Sequence, residues 1–183
     1  DTPVLYTMVT TVKADSKTVG IYKTPFGVRT IKFDPDKGFF LNGKHVKLKG
    51  LCLHESAGCL GTAVPDRSFE RELEILKGYG CNAIRCAHNQ PSPEFLDMCD
   101  RMGFVVIDEA FDKWKSGYYE KYFDKWWQTD MSDMILRDRN HPSVILWSIG
   151  NELQEAWDGS DVGVERAKML NDFVHKLEPT RPT

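Results

Sequence analysis

The 183-residue chain has no long apolar run. Nothing in it approaches the roughly 18 consecutive apolar residues of a membrane helix. It also lacks a surplus of positive charge: 24 Lys and Arg face 27 Asp and Glu, a net charge of −3, which argues against nucleic acid as a partner. Its first residues, DTPVLYTMVTTV, have neither a basic start nor an unbroken apolar stretch, so no signal peptide is expected, and no Met opens the chain. Cysteine is sparse. Cys52, Cys59, Cys81, Cys86 and Cys99 match no zinc spacing, and five thiols leave one over in any full disulfide scheme. Cys52, Cys81 and Cys86 lie in or beside apolar runs and read as small buried hydrophobes, which favours a reducing compartment. The expectation is a soluble protein, with the compartment open between cytoplasm and periplasm. No G-x-G-x-x-G follows the first buried strand, which disfavours a dinucleotide fold, and no His-Glu-x-x-His offers a zinc site.

The pattern that is present is βα alternation. Residues 1–33 are β-rich: Leu5–Val12, Val19–Tyr22 and Val28–Phe33 read as extended, with a polar turn at Ala14–Thr18. Too few for a sandwich, these strands read as the tail of a β domain. Phe39-Phe40-Leu41, Asn42-Gly43 and Val46-Lys47-Leu48 then form a hairpin pattern around a type I′ turn. From about Val46 the chain alternates strands at 46–53, 81–86, 104–107 and 143–149 with helices at about 67–78, after Ser92-Pro93, 121–138 and 162–177. Ser92 is expected to cap the second helix, with Gly103 just past its end. Four successive βα units imply parallel strands with right-handed crossovers, and a full (β/α)8 barrel takes about 250 residues. The predicted fold class is therefore α/β: a short β-rich segment, then the first four units of a TIM barrel.

Each strand releases polar groups at its C-terminal end, where such barrels place their chemistry. These are His54 and Glu55, Arg85 and His88, Asp108 and Glu109, and Asn151 and Glu152. Phe123, Trp126, Trp127, Met131, Met134 and Ile135 recur at helical spacing and read as core.

The stretch Asp138–Glu152, DRNHPSVILWSIGNE, resembles the acid/base signature of glycoside hydrolase family 2, which includes β-galactosidases, β-glucuronidases and β-mannosidases. Asn82–Pro91, NAIRCAHNQP, resembles the family's second-strand motif. Gly38–Gly50, GFFLNGKHVKLKG, looks like its entry into the barrel. Phe26-Gly27-Val28-Arg29 looks like the last strand of the preceding immunoglobulin-like domain. The resemblance implies an incomplete immunoglobulin-like domain over 1–33 and an incomplete TIM-barrel catalytic domain over 34–183.

It further implies a retaining β-glycosidase, with galactose the first choice of sugar. Glu152 corresponds to the general acid/base, and Asn151 to the amide that holds the sugar 2-hydroxyl. Arg85 corresponds to the arginine that supports the nucleophile, while His54 and His88 correspond to residues near the sugar. Asp108 is a further candidate for substrate binding. Trp114, in the loop after the third strand, stands evenly between sugar stacking and packing, whereas Trp147 is expected to pack.

Retaining hydrolysis needs a second carboxylate about 5–5.5 Å from the acid/base. The family's nucleophile lies on the seventh strand, and this sequence reaches Thr183 before a fifth. The 183 residues are therefore expected to be inactive alone and to self-associate through their open side. Lys113 and Lys115 stand where galactosidases of the family carry magnesium ligands, so no metal or other cofactor is expected. Asn89-Gln90 replaces the family's aromatic before Pro91. Two alternatives are a non-catalytic half-barrel that binds carbohydrate or merely folds, and a metal hydrolase built on His54, His88, Asp108 and Glu109. The expected partner is a carbohydrate substrate, with neither nucleic acid nor membrane.

Overall fold

A computed structural model describes residues 2–159 and 161–183. Asp1, the first residue of the expected β-rich segment, lies outside the described residues. Among those described, no helix is long and apolar enough to cross a membrane.

Strands β1 (Tyr6–Ala14) and β2 (Lys17–Phe26) form one long antiparallel hairpin. Asp15 and Ser16 turn it with positive φ angles; Asp is a residue type that tolerates that region better than most. β2 is thus longer than the expected 19–22. Strand β3 (Ile31–Asp34) pairs instead with β4 (Gly38–Leu41), which pairs with the two-residue β5 (Lys44–His45) across the Asn42-Gly43 turn. Ile31, Leu41, Val46 and Leu48 pack with Phe39 against Val105 and Ile145, so this small sheet plugs the floor of the main one. The boundary expected between residues 33 and 34 falls inside β3.

The main sheet is parallel, in the order β6 (Gly50–Leu53), β7 (Ala83–Cys86), β8 (Val105–Glu109), β9 (Val144–Ser148). Helices α1 (Asp66–Gly78), α2 (Pro93–Met102), α3 (Glu120–Asp138), the short α4 (Gln154–Trp157) and α5 (Asp161–Leu177) separate and follow the strands. This is a partial barrel of four βα units. Phe69, Leu73 and Leu76 of α1 are all buried, as their spacing predicts, and they join Ile84, Val106 and Trp147 in the core between sheet and helices. On α3 the stripe holds for Phe123, Met131, Met134 and Ile135, but Trp126 is exposed beneath the Lys125 ammonium.

Cys52 is a correction. It is exposed, because the inner face of β6 is open, and all five thiols are free. A bulge between Val106 and Ile107 in the β8–β9 register lets Ile145 and Leu146 both join the floor cluster. Asp100 anchors the start of β9 by accepting hydrogen bonds from the Ser143 amide (2.8 Å) and His141 Nδ1 (2.7 Å).

Candidate active site

Alternation along a strand decides which side chains reach the inner face. Arg85 of β7 stands in register with Ile107 of β8, so residue 109, two further on, shares their side of the sheet. Glu109 is fully buried and gathers donors from the ends of β7 and β9, the strands on either side of its own. Its Oε2 accepts Arg85 Nε (2.9 Å), Arg85 Nη2 (2.7 Å) and the Ser148 hydroxyl (2.7 Å). Its Oε1 faces His88 Nδ1 at 2.8 Å. His54, from the end of β6, sets its ring edge-on to His88, centroids 5.3 Å apart. Burial works against the charge of Arg85, but the Glu109 carboxylate outweighs it and holds the guanidinium pKa above its ordinary value.

The network continues outward. Arg85 Nη2 also donates to Asn151 Oδ1 (2.9 Å), and Asn151 Nδ2 donates to Asp112 Oδ1 (2.9 Å). Lys113 Nζ lies 3.1 Å from both Asp112 oxygens and 3.3 Å from Glu152 Oε2. Burial opposes the charge of Asp112, yet the Asn151 amide and the Lys113 ammonium hold its pKa below the usual value. His54, Arg85, His88, Asn151 and Glu152 are therefore brought to one mouth, at the C-terminal ends of four parallel strands. Glu152 is the outermost, its side chain 63% exposed.

The loop that carries Glu152 is held by the loop after β8. Trp114 Nε1 donates to Ile149 O at 2.6 Å, the Asn151 amide donates to Asp112 O at 2.5 Å, and Glu155 Oε1 accepts from the Lys115 amide at 3.0 Å. Gly150 is needed here: a Cβ on it would lie 2.8 Å from both Trp114 Nε1 and Leu153 Cδ2. The next turn sets Glu152 itself at φ 44°, a left-handed conformation that costs a non-glycine residue roughly 1–3 kcal/mol. Neighbouring contacts over-determine that position.

Two candidates are not brought to the mouth. Asp108 lies on the helix side of β8, fully buried beside Asp138. As bare carboxylates the two offer each other only acceptors, and Asp138 is already held by Arg137 through two 2.6 Å bonds. Burial first, and then Asp138, push the Asp108 pKa well above its ordinary value, so a protonated Asp108 becomes a donor to Asp138. Trp114 is completely buried under Gly150 and offers no face to a sugar. Trp147 packs in the core as expected, with Nε1 donating to Glu178 Oε2 at 3.2 Å. Sequence reasoning passed over Ser148 and Asp112 as site residues, and named Glu109 only as a strand-end group and as a member of the metal-hydrolase alternative.

The donor set for a metal is not assembled at this mouth. Among the described residues, the one grouping with ligand atoms close enough is Asp97, Asp100 and His141, at the start of β9 and away from Glu152. His88 is turned onto Glu109, and Asp108 is on the opposite face, which takes apart the metal-hydrolase constellation. Lys115 lies 2.5 Å from Asp124.

Residues 34–183 match the family model described as glycosyl hydrolases family 2, TIM barrel domain. The chain is 51% identical to the β-galactosidase BoGH2A of Bacteroides ovatus, over 97% of its own length and 22% of that protein's. It is 34% identical to a β-glucuronidase of Bacteroides fragilis, over 99% of the chain and 26% of that protein. Among solved structures, it resembles a glycosyl hydrolase family 2 member from Bacteroides cellulosilyticus with a TM-score of 0.89 and 46% identity, covering 97% of this chain and 23% of that one. The chain thus spans about a quarter of the length of the relatives it matches.

Proposed function

Because this chain belongs to glycosyl hydrolases family 2, we propose that it is the acid/base-carrying part of a retaining β-galactosidase. Glu152 protonates the departing glycosidic oxygen and then takes a proton from water. The nucleophilic carboxylate comes from outside these 183 residues, about 5–5.5 Å away in the assembled site. The observation that carries this reading is Asn151, held between Arg85 and Asp112 directly beside Glu152. An amide nitrogen has two donors. The one not given to Asp112 is left for the sugar 2-hydroxyl, where hydrogen bonds strengthen toward the transition state. His54 and His88 flank the same sugar.

A neutral sugar is supported by the state of the cations. A uronate needs a cation for its carboxylate, but Arg85 is committed to Glu109, Lys113 to Asp112 and Glu152, and Lys115 to Asp124. The identity to a protein named β-galactosidase points the same way. In this reading residues 1–33 end an immunoglobulin-like domain and 34–183 begin the catalytic barrel. The partner is a β-galactoside; nucleic acid and membrane have no part. A non-catalytic carbohydrate-binding half-barrel is the competing reading.

The test uses the longer protein that contains this chain, assayed on nitrophenyl β-galactoside, β-glucuronide and β-mannoside. Galactoside turnover is expected. Glu152→Gln keeps the shape but removes the titrating proton, lowering kcat by about 10²–10⁴-fold on substrates with poor leaving groups. Azide should partly restore turnover of an activated aryl galactoside, since azide needs no base. Normal activity of the variant on an unactivated galactoside refutes the assignment, and preference for the glucuronide refutes the sugar.

A further inference from the structure

We infer that Glu109 is the positioning residue of this site: it fixes the proton on His88 and, through Arg85, the place of Asn151 beside Glu152. The inference rests on the reading of Glu152 as acid/base and assigns a role to a carboxylate that does not touch the substrate. Glu109 is fully buried, and every hydrogen bond it accepts comes from a residue at the mouth. Arg85 and His88 come from β7 and the segment after it, Ser148 from β9. One carboxylate therefore sets the spacing of three neighbouring strand ends.

Two consequences follow from the donor and acceptor chemistry. A guanidinium has no acceptor, so Arg85 can be steered only by acceptors: Glu109 Oε2 and Asn151 Oδ1, with a longer 3.8 Å contact from Nη1 to Cys52 Sγ. Loss of the first frees the guanidinium to rotate away from the second. The Asn151–Glu152 pair then keeps its backbone clip to Asp112 but loses the side-chain hold from Arg85. His88 meets a carboxylate oxygen through Nδ1, so Nδ1 carries the proton and Nε2 is left as the end that faces away from Glu109. A glutamine at 109 has one acceptor oxygen in place of two, and its amide nitrogen offers donors to groups that are themselves donors. It cannot hold Arg85 and His88 together.

The experiment has two independent arms. In the longer protein, Glu109→Gln is expected to lower kcat on an aryl β-galactoside by about 10²-fold, the scale of a small misplacement of reacting groups, with KM little changed. Ser148→Ala, which removes one of the four bonds and leaves the charge, should lose less. Should Glu109→Gln fail to fold, Glu109→Asp keeps the charge but falls one methylene short of His88, and it must show a kcat loss as well. In the 183-residue chain itself, nitrogen-15 spectra of labelled histidine should show His88 protonated on Nδ1, with that preference lost in Glu109→Gln. Folded Glu109 variants with normal kcat overturn the proposal, as does a wild-type His88 protonated on Nε2. Absence of any glycoside turnover by the wild type instead defeats the galactosidase reading, and the histidine spectra then decide on Glu109 alone.

Discussion

Asp108 and Glu109 are neighbours in sequence, yet the pleat of β8 sends their carboxylates to opposite sides of the sheet. The Asp108 pKa is raised, chiefly by burial and then by Asp138, so the folded state holds a proton that the unfolded state releases near 3.8. The sign is then fixed: the contribution of Asp108 to stability is fully present below the unfolded value and is lost as pH rises through the folded one. Asp108→Asn is isosteric and cannot ionise. Its melting temperature should exceed that of wild type at neutral pH, with the difference shrinking below about pH 4, and kcat of the longer protein should not change. A loss of kcat comparable to that of Glu109→Gln would return Asp108 to the mouth. The positions of His54, His88, Asn151 and Glu152 were legible because each lies just past a strand end, and that of Arg85 because it lies in the last residues of β7. Asp108 and Trp114 passed the same positional filter, but strand ends alone do not reveal which face a side chain takes. Nor does the local sequence around Trp114 tell that Gly150, far along the chain, will close over its ring.

Helices were easier to read than strands, because burial of one face imposes a 3.6-residue period that repeats over several turns, whereas the period of two repeats only twice in a four-residue strand. α1 and α2 fall where their apolar spacing and flanking residues place them, whereas β2 outruns its expected limits and β3 changes sheets. Caps show how a correct position can still carry the wrong energy. Ser92 does precede α2, but its hydroxyl is buried without a partner and caps nothing, while its amide donates to Glu55 Oε2 at 3.0 Å. An ordinary cap loses about 0.5–2 kcal/mol on replacement by alanine. Ser92→Ala should be neutral or slightly stabilising by thermal melting, since it removes an unsatisfied hydroxyl and keeps the amide bond. Gly103, by contrast, adopts φ 75° as it ends α2, with its amide on Cys99 O. Gly103→Ala should cost about 1 kcal/mol, the left-handed penalty for a residue with a Cβ. A Ser92→Ala loss equal to that of Gly103→Ala would show that the hydroxyl bonds after all.

The four-stranded sheet leaves β6 and β9 at its ends, but the two ends are not equally bare. The C-terminal segment already covers part of β9: the Trp147 amide donates to Pro182 O at 3.0 Å, and Arg181 Nε donates to Val144 O at 2.8 Å. β6 has no such cover among the described residues, and Leu51 is half exposed. The β1–β2 hairpin adds a larger apolar surface, with Met8, Val9, Val12, Val19, Ile21 and Tyr22 all exposed. Two strands alone are marginal in water, and apolar patches beyond a few hundred Å² are uncommon on soluble monomers. The 183-residue chain should therefore pair with a second copy of itself, through the hairpin and the open edge of β6. Such pairing supplies a second Glu152 but no free nucleophile among the described carboxylates of β8 and the loop after it. Asp112 is engaged by Asn151 and Lys113, Glu109 by four donors, and Asp108 faces the helices. Light scattering on the eluting protein should give a mass above the monomer that falls when residues 1–26 are removed. An aryl β-galactoside should show no turnover that Glu152→Gln abolishes. A stable monomer at high concentration would refute the pairing, and Glu152-dependent turnover by this chain would mean that one of its own carboxylates can act as nucleophile.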